Sequence, residues 1–186
     1  IDKFITFYNN LKLADKKEKK IIELKKDDKL IPLLHSNLKI GGIYQIKYLS
    51  GEGPYIARQI SYDFEESNCE IILDFKVKLK TAEFLFFSSK ADSIIFDEFF
   101  DASEINNTYG MFSSCYSLIS LDLSHFNTQN VIRMDAMFQQ CKSLITINLN
   151  NFITNKVISM DSMFESCSKL KNLNLTSFNT SQVNIM

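Results

Sequence analysis

The chain has 186 residues, 45% of them hydrophobic, with 21 basic and 22 acidic side chains and a net charge of −1. That length and apolar content suffice for a sizeable core, and the near-neutral balance excludes a nucleic-acid binder of the strongly basic kind. No stretch approaches the run of about 18 uninterrupted apolar residues that a membrane-crossing helix requires.

The charge is unevenly spread. Residues 1–40 carry ten lysines and six acids, a balance of +4; residues 41–110 carry six bases and twelve acids, −6; residues 111–186 carry five and four, +1. Residues 1–40 are rich in helix formers, and Phe4, Phe7, Tyr8 and Leu11 share one face at helical spacing. Ile21, Ile22 and Leu24 predict a second helix that Pro32 stops. The mixed charges of 15–20 predict a solvated face rather than a basic partner-binding surface. Apolar residues fit heptad positions for only two heptads before Asp15 and Glu18 fall in the seam, which weighs against a coiled coil.

From Gly41-Gly42, residues 41–82 are expected to form a small β-rich subdomain. Strands are predicted in IYQIKYLS, in YIARQISYDF after the GEGP turn at 51–54, and in EIILDFKVKL. The alternation of Ile43, Gln45 and Lys47, and of Ile71, Leu73, Phe75 and Val77, supports half-buried strands.

Residues 111–186 repeat. MFSSCYSLISLDLSHFNTQNVIRM, beginning at Met111, returns without a gap at Met137 and Met163, an offset of 26. Phe112, Phe138 and Phe164 align, as do Cys115, Cys141 and Cys167, then Leu118, Leu144 and Leu170. The register holds through Leu123, Leu149 and Leu175, through Phe126, Phe152 and Phe178, and through Thr128, Thr154 and Thr180. The third copy stops at Met186, the equivalent of Met134, so the sequence is expected to be a piece of something longer. Residues 83–110 predict a degenerate first repeat that caps the array, since Phe100 and Ile105 precede Phe126 and Val131 by 26. There the equivalents of Leu118 and Leu123 are Asp92 and Asp97, so this unit needs a shift of one or two residues.

A fixed period in this range is the signature of a solenoid, because one coil cannot bury its own apolar face and needs neighbours above and below. Leu118-x-x-Leu121-x-Leu123 and its copies predict short strands stacked in parallel, with leucine columns inside. Met-Phe-x-x-Cys is expected to form a short helical turn on the opposite wall. The expected class is therefore α/β: a solenoid with a parallel sheet and short helical turns, preceded by a small helical and β-rich N-terminal region.

The string MFSSCYSLISLDLSHFNTQNVIRM resembles the 26-residue repeat of bacterial surface proteins, a leucine-rich-repeat relative described as BspA-like and abundant in mycoplasmas, Firmicutes and some protists. The resemblance covers residues 111–186. It implies a leucine-rich solenoid used for surface display, adhesion or protein binding, and hence a cell-surface or extracellular location, with an intracellular assembly as the alternative. No catalytic residues come with it. This sequence departs from the pattern at Ile153, where Asn127 and Asn179 stand in the other copies.

Chemistry-bearing motifs are few. Zinc sites favour cysteine pairs two to four residues apart, and the chain has no CxxC and only His35 and His125. Parallel stacked cysteines also make poor disulfides, so Cys115, Cys141 and Cys167 are expected to be small buried hydrophobes in a column. Cys69 stands alone without a nearby histidine. There is no phosphate-binding loop, HExxH or GxSxG, and GEG at 51–53 is too short to mean more than a turn. Glu65-Glu66 and Asp97-Glu98 are adjacent acids of the surface type, and His125 occupies a variable position shared with Asn151 and Ser177. No enzyme activity, cofactor or metal is expected.

What the repeats offer is a surface. With the leucines inward, Ser120, Asp122 and Ser124, then Thr146, Asn148 and Asn150, then Asn172, Asn174 and Thr176 form a three-by-three outward array. Concave solenoid faces are where partners dock. The array is polar, nearly uncharged and without aromatic or arginine anchors, so the expected partner is a protein, peptide or glycan held by hydrogen-bonded, weak or multivalent contact. The expected function is a non-catalytic interaction or adhesion module, with an architectural spacer in a larger assembly as the alternative.

Overall fold

A computed structural model describes residues 78–89, 91–96 and 100–186 in full, together with the backbone of four strands nearer the N-terminus. The strands are β1 (Phe4–Tyr8), β2 (Lys20–Leu24), β3 (Ile43–Tyr48), β4 (Glu70–Phe75), β5 (Ser93–Phe96) and β6 (Ser120–Asp122). They form one sheet in the order β2-β3-β4-β1-β5-β6, and every pairing is parallel.

Two expectations about the N-terminal half change. Helical spacing predicted helices through Phe4–Tyr8 and Ile21–Leu24, yet both segments are strands. FITFY and KIIEL concentrate β-branched and aromatic residues, which suit a pleated surface, and a short apolar run carries no reliable period of its own. β1 lies between β4 and β5, with Ile5 opposite Ile71 on one side and Ile94 on the other. The unit predicted to cap the array therefore has its strand β5 paired on both sides, by β1 and β6. The turn at 51–54, the strand expected in YIARQISYDF, the charge run before Lys20 and Cys69 lie outside the described residues.

From Thr81 onward the chain stacks coil on coil. Parallel bridges link Thr81 to Asn107, Asn107 to Arg133, Arg133 to Ser159 and Ser159 to Ile185, each step 26 residues. On the sheet side Thr146 pairs with Asn172 at the same offset. Between β5 and β6 the offset is 27, with Ser93 opposite Ser120 and Ile94 opposite Leu121.

The Met-Phe-x-x-Cys segment was predicted as a helical turn. It is instead a run of tight turns, and no helix is assigned among the described residues. A helix would donate every N–H within itself; here alternate N–H groups cross to the next coil. Gly110, Phe112 and Ser114 donate to the carbonyls of Asp135, Met137 and Gln139 at 2.9, 2.9 and 2.8 Å. The residues between them, Met111, Ser113 and Cys115, donate three residues back, to Thr108, Gly110 and Phe112. The same alternation recurs in the preceding and following coils, from Phe84, Phe86 and Ser88 and from Ala136, Phe138 and Gln140. This path requires left-handed backbone at two positions per coil: Phe84 and Ser88, Gly110 and Ser114, Ala136 and Gln140, Ser162 and Ser166, with φ between 51° and 61°. Each non-glycine residue held there costs about 1–2 kcal/mol, a strain sustained by the inter-coil hydrogen bonds it permits.

The core is built of columns. Phe86, Phe112, Phe138 and Phe164 stack nearly parallel with centroids 5.3, 5.6 and 5.4 Å apart. Phe100 stacks on Phe126, and Phe152 on Phe178. Phe96 meets Phe86, Phe112 and Phe126 edge-on, so it joins the turn wall to the strand side. Leu118, Leu123, Val131 and Met134 are buried, as are their equivalents Leu144, Leu149, Val157 and Met160. Burying each such side chain contributes roughly 1.5–3 kcal/mol. Leu173 and Leu175 are 38% and 39% exposed where Leu121 and Leu123 are 7% and 1%, because no coil among the described residues lies over them.

Buried polar groups are consumed by the stack. Thr128 Oγ1 donates to the Ile153 carbonyl at 3.1 Å and accepts from the Ile153 N–H at 2.8 Å; Thr154 does the same with Asn179. The repeated threonine is thus a clasp on the next coil, and it works at Ile153 because it grips backbone. Buried Asp135 accepts from Arg133 Nε and the Ser159 hydroxyl, while the Arg133 guanidinium lies over the Tyr109 ring.

At Gly110 the turn wall leaves no room for a side chain. A Cβ there would fall 2.5 and 2.7 Å from Phe84 Cε1 and Cδ1, and that ring is itself packed against Phe87 and Tyr109. Gly110→Ala is expected to lower unfolding free energy by about 1–3 kcal/mol in urea titrations, the cost of overpacking. Ala136→Gly, at the equivalent position one coil on, should change it by no more than about 1 kcal/mol, since left-handed backbone suits glycine. Equal effects of the two would refute this assignment.

Candidate ligand-binding face

β6 presents Ser120 and Asp122 outward and buries Leu121 between them. All nine positions of the predicted array, from Ser120 to Thr176, are exposed. The middle row has a structural duty. Asp122 Oδ1 accepts the Ser124 N–H at 2.9 Å, Asn148 Oδ1 the Asn150 N–H at 3.1 Å, and Asn174 Oδ1 the Thr176 N–H at 3.0 Å. These side chains turn the backbone two residues on, as Asp and Asn do at strand ends. Asn174 Nδ2 also donates to Asn150 Oδ1 at 3.1 Å, tying two coils together on the surface.

The face is not flat. An open depression of about 420 Å³ lies over β5, β6 and the following coil. Ser120, Asp122, Thr146 and Asn148 line it, along with the edges of Leu121 and Ile147. Ser93 and Ile95 complete it from β5, and Ser120 Oγ donates to Ser93 Oγ at 2.9 Å. Ser124, Asn150, Asn172, Asn174 and Thr176 are outside this lining. Sequence reasoning missed Ser93 and Ile95 because the offset of 26 puts Asp92 opposite Leu118; the one-residue shift that the structure shows was the available signal.

Among the described residues that line it, Asp122 is the one charged side chain. The Ser124 N–H, and after it the Ser124 hydroxyl, hold its carboxyl below the usual range, with His125 adding a smaller attraction. It is therefore ionised at neutral pH. His125 itself is exposed, whereas at its equivalents Asn151 Nδ2 donates to Leu123 and Ser124 carbonyls and Ser177 Oγ to the Leu149 carbonyl. His35 and the adjacent acids at 65–66 and 97–98 lie outside the described residues.

Three cysteines form the predicted column. Cys115 and Cys141 are buried, Cys167 is half-buried, and all three are free thiols. Each donates to a phenylalanine carbonyl of the coil before it: Cys115 to Phe86 at 3.0 Å, Cys141 to Phe112 at 3.2 Å and Cys167 to Phe138 at 3.0 Å. Burial pushes Cys115 up to about 12 and raises Cys141 and Cys167 as well. Since the thiolate is the nucleophile and the metal ligand, these are packing residues with a weak donor.

Residues 81–186, more than half of the chain, match a family described as Mycoplasma protein of unknown function, DUF285. The chain belongs to this family. DUF285 is a repeat-type family, and the matched segment begins at Thr81, the residue that opens the column of parallel bridges. It therefore contains the whole column of bridges and every described residue that lines the depression. No curated protein and no solved structure matches the chain.

In a Cys69→Ser background, thiol labelling at pH 8 should modify Cys167 first. Cys115 and Cys141 should lag at least about tenfold until denaturant is added, because labelling follows thiolate fraction and access. Equal native-state rates at all three would contradict the buried column.

Proposed function

We propose that the stacked coils are a leucine-rich-repeat-type solenoid of the BspA-like kind, and that this member of DUF285 is a non-catalytic interaction or adhesion module. We place it at a cell surface, within a larger protein. The observation that carries the reading is the open polar depression on the exposed face of the parallel sheet. Hydroxyls, an amide and one carboxylate line it over an apolar floor, a set that recognises by hydrogen bonding. Among the described residues, the lining holds no imidazole or thiol to serve a nucleophile-and-base pair. Support for the solenoid comes from the 26-residue bridge column and the aromatic stack.

An architectural role is the second reading, favoured by those same continuous ladders, which make the coils a stiff spacer. Stoichiometric co-purification of the full chain with fixed subunits distinguishes it from the first.

Ser120 and Thr146 are the positions for a test, because they are exposed and make no turn of their own, unlike Asp122 and Asn148. A Ser120→Lys, Thr146→Lys double variant should keep its stability and lose at least about tenfold in affinity for whatever the native protein selects from peptide and glycan arrays. Unchanged selection and affinity would remove this face from consideration.

A further inference from the structure

The depression is chemically asymmetric. Asp122, Asn148 and Asn174 occupy the same place in three coils and make the same turn through Oδ1. Only the first brings a charge, and it does so inside the depression. The turn leaves that charge available: a carboxylate has about four acceptor positions, and the Ser124 N–H and hydroxyl engage two of them. Ile95 and Ile147 line the same depression with aliphatic surface, and the Ser120 and Thr146 hydroxyls stand beside it.

We infer that the depression accepts a cationic side chain, lysine or arginine, from an extended segment of a protein partner, with Asp122 as its charge partner. This rests on the reading of the sheet face as a docking surface and names what docks there. Long basic side chains carry a methylene stem that covers apolar surface while the head group stays polar. Here the stem lies along Ile95 and Ile147 and the head reaches Asp122. The Ser120 and Thr146 hydroxyls are placed to hydrogen-bond the segment's backbone. About 420 Å³ is within the range of clefts that enclose small ligand groups, roughly 300–1,000 Å³. An anionic segment would meet Asp122 with like charge, and a neutral glycan would leave it without a counter-charge.

The substitution that isolates the charge is Asp122→Asn. The chain itself shows that asparagine makes the same turn, at Asn148 and Asn174, so the variant keeps the fold and loses only the charge. The test is amide chemical-shift mapping of the full chain with three probes: hexalysine, hexaglutamate and chitohexaose. Hexalysine should shift the amides of Ser93, Ile95, Ser120, Asp122 and Thr146, and D122N should weaken that binding at least tenfold without shifts elsewhere in the stack. Equal hexalysine affinity in D122N would overturn the inference. So would shifts of these amides by hexaglutamate or chitohexaose with hexalysine inert, although the face would then stand as a docking surface. Absence of shifts at these amides with all three probes would overturn both.

Discussion

Every other N–H of the turn wall is given away to the next coil. Gly110, Phe112 and Ser114 reach carbonyls 25 residues on, and Ala136, Phe138 and Gln140 repeat the pattern. That one constraint fixes the length of the coil. A residue inserted between Phe112 and Phe138 would exchange donors for the groups already engaged three residues back, and buried N–H groups would lose their partners. Everything that repeats in side chain follows from this backbone rule. The phenylalanines stack because their backbone is clamped on both sides, the thiols meet phenylalanine carbonyls in register, and the threonine clasps find the next backbone at constant offset.

The sheet side is more forgiving, as β5 demonstrates. Phe86 to Ile94 is one residue shorter than Phe112 to Leu121, and Ile94 to Phe100 is one longer than Leu121 to Phe126. The slip is absorbed between two aromatic columns without disturbing either. It also brings Ser93 and Ile95 into the depression. Variation that the turn wall forbids is thus available on the exposed face of the sheet.

How much could be read beforehand follows from the same division. The period, the inward columns of Leu, Phe and Val, and the exposed array were legible because side-chain identity repeats where packing repeats. The turn wall was not. Left-handed backbone is announced in sequence chiefly by glycine, and of the eight positions that adopt it among the described residues only Gly110 is one. Serine, alanine, glutamine and phenylalanine elsewhere left a helical turn as the natural expectation. The place of β1 between β4 and β5 is a long-range pairing, which no local pattern encodes. Asp122 was visible as an outward residue, but its sequence did not distinguish a turn-making side chain from a free one. The hydrogen bonds to Ser124, Asn150 and Thr176 do so, and they make the charge on Asp122 the informative difference among three otherwise equal positions.

The central claim is that the turn wall binds coil to coil rather than forming a helix within each coil. Scalar couplings across hydrogen bonds identify directly which carbonyl each N–H engages. Correlations from the Phe112 nitrogen to the Met137 carbonyl and from Phe138 to Met163 are the predicted result. A correlation from Phe112 to the carbonyl of Thr108, four residues back as in an α-helix, would contradict the account.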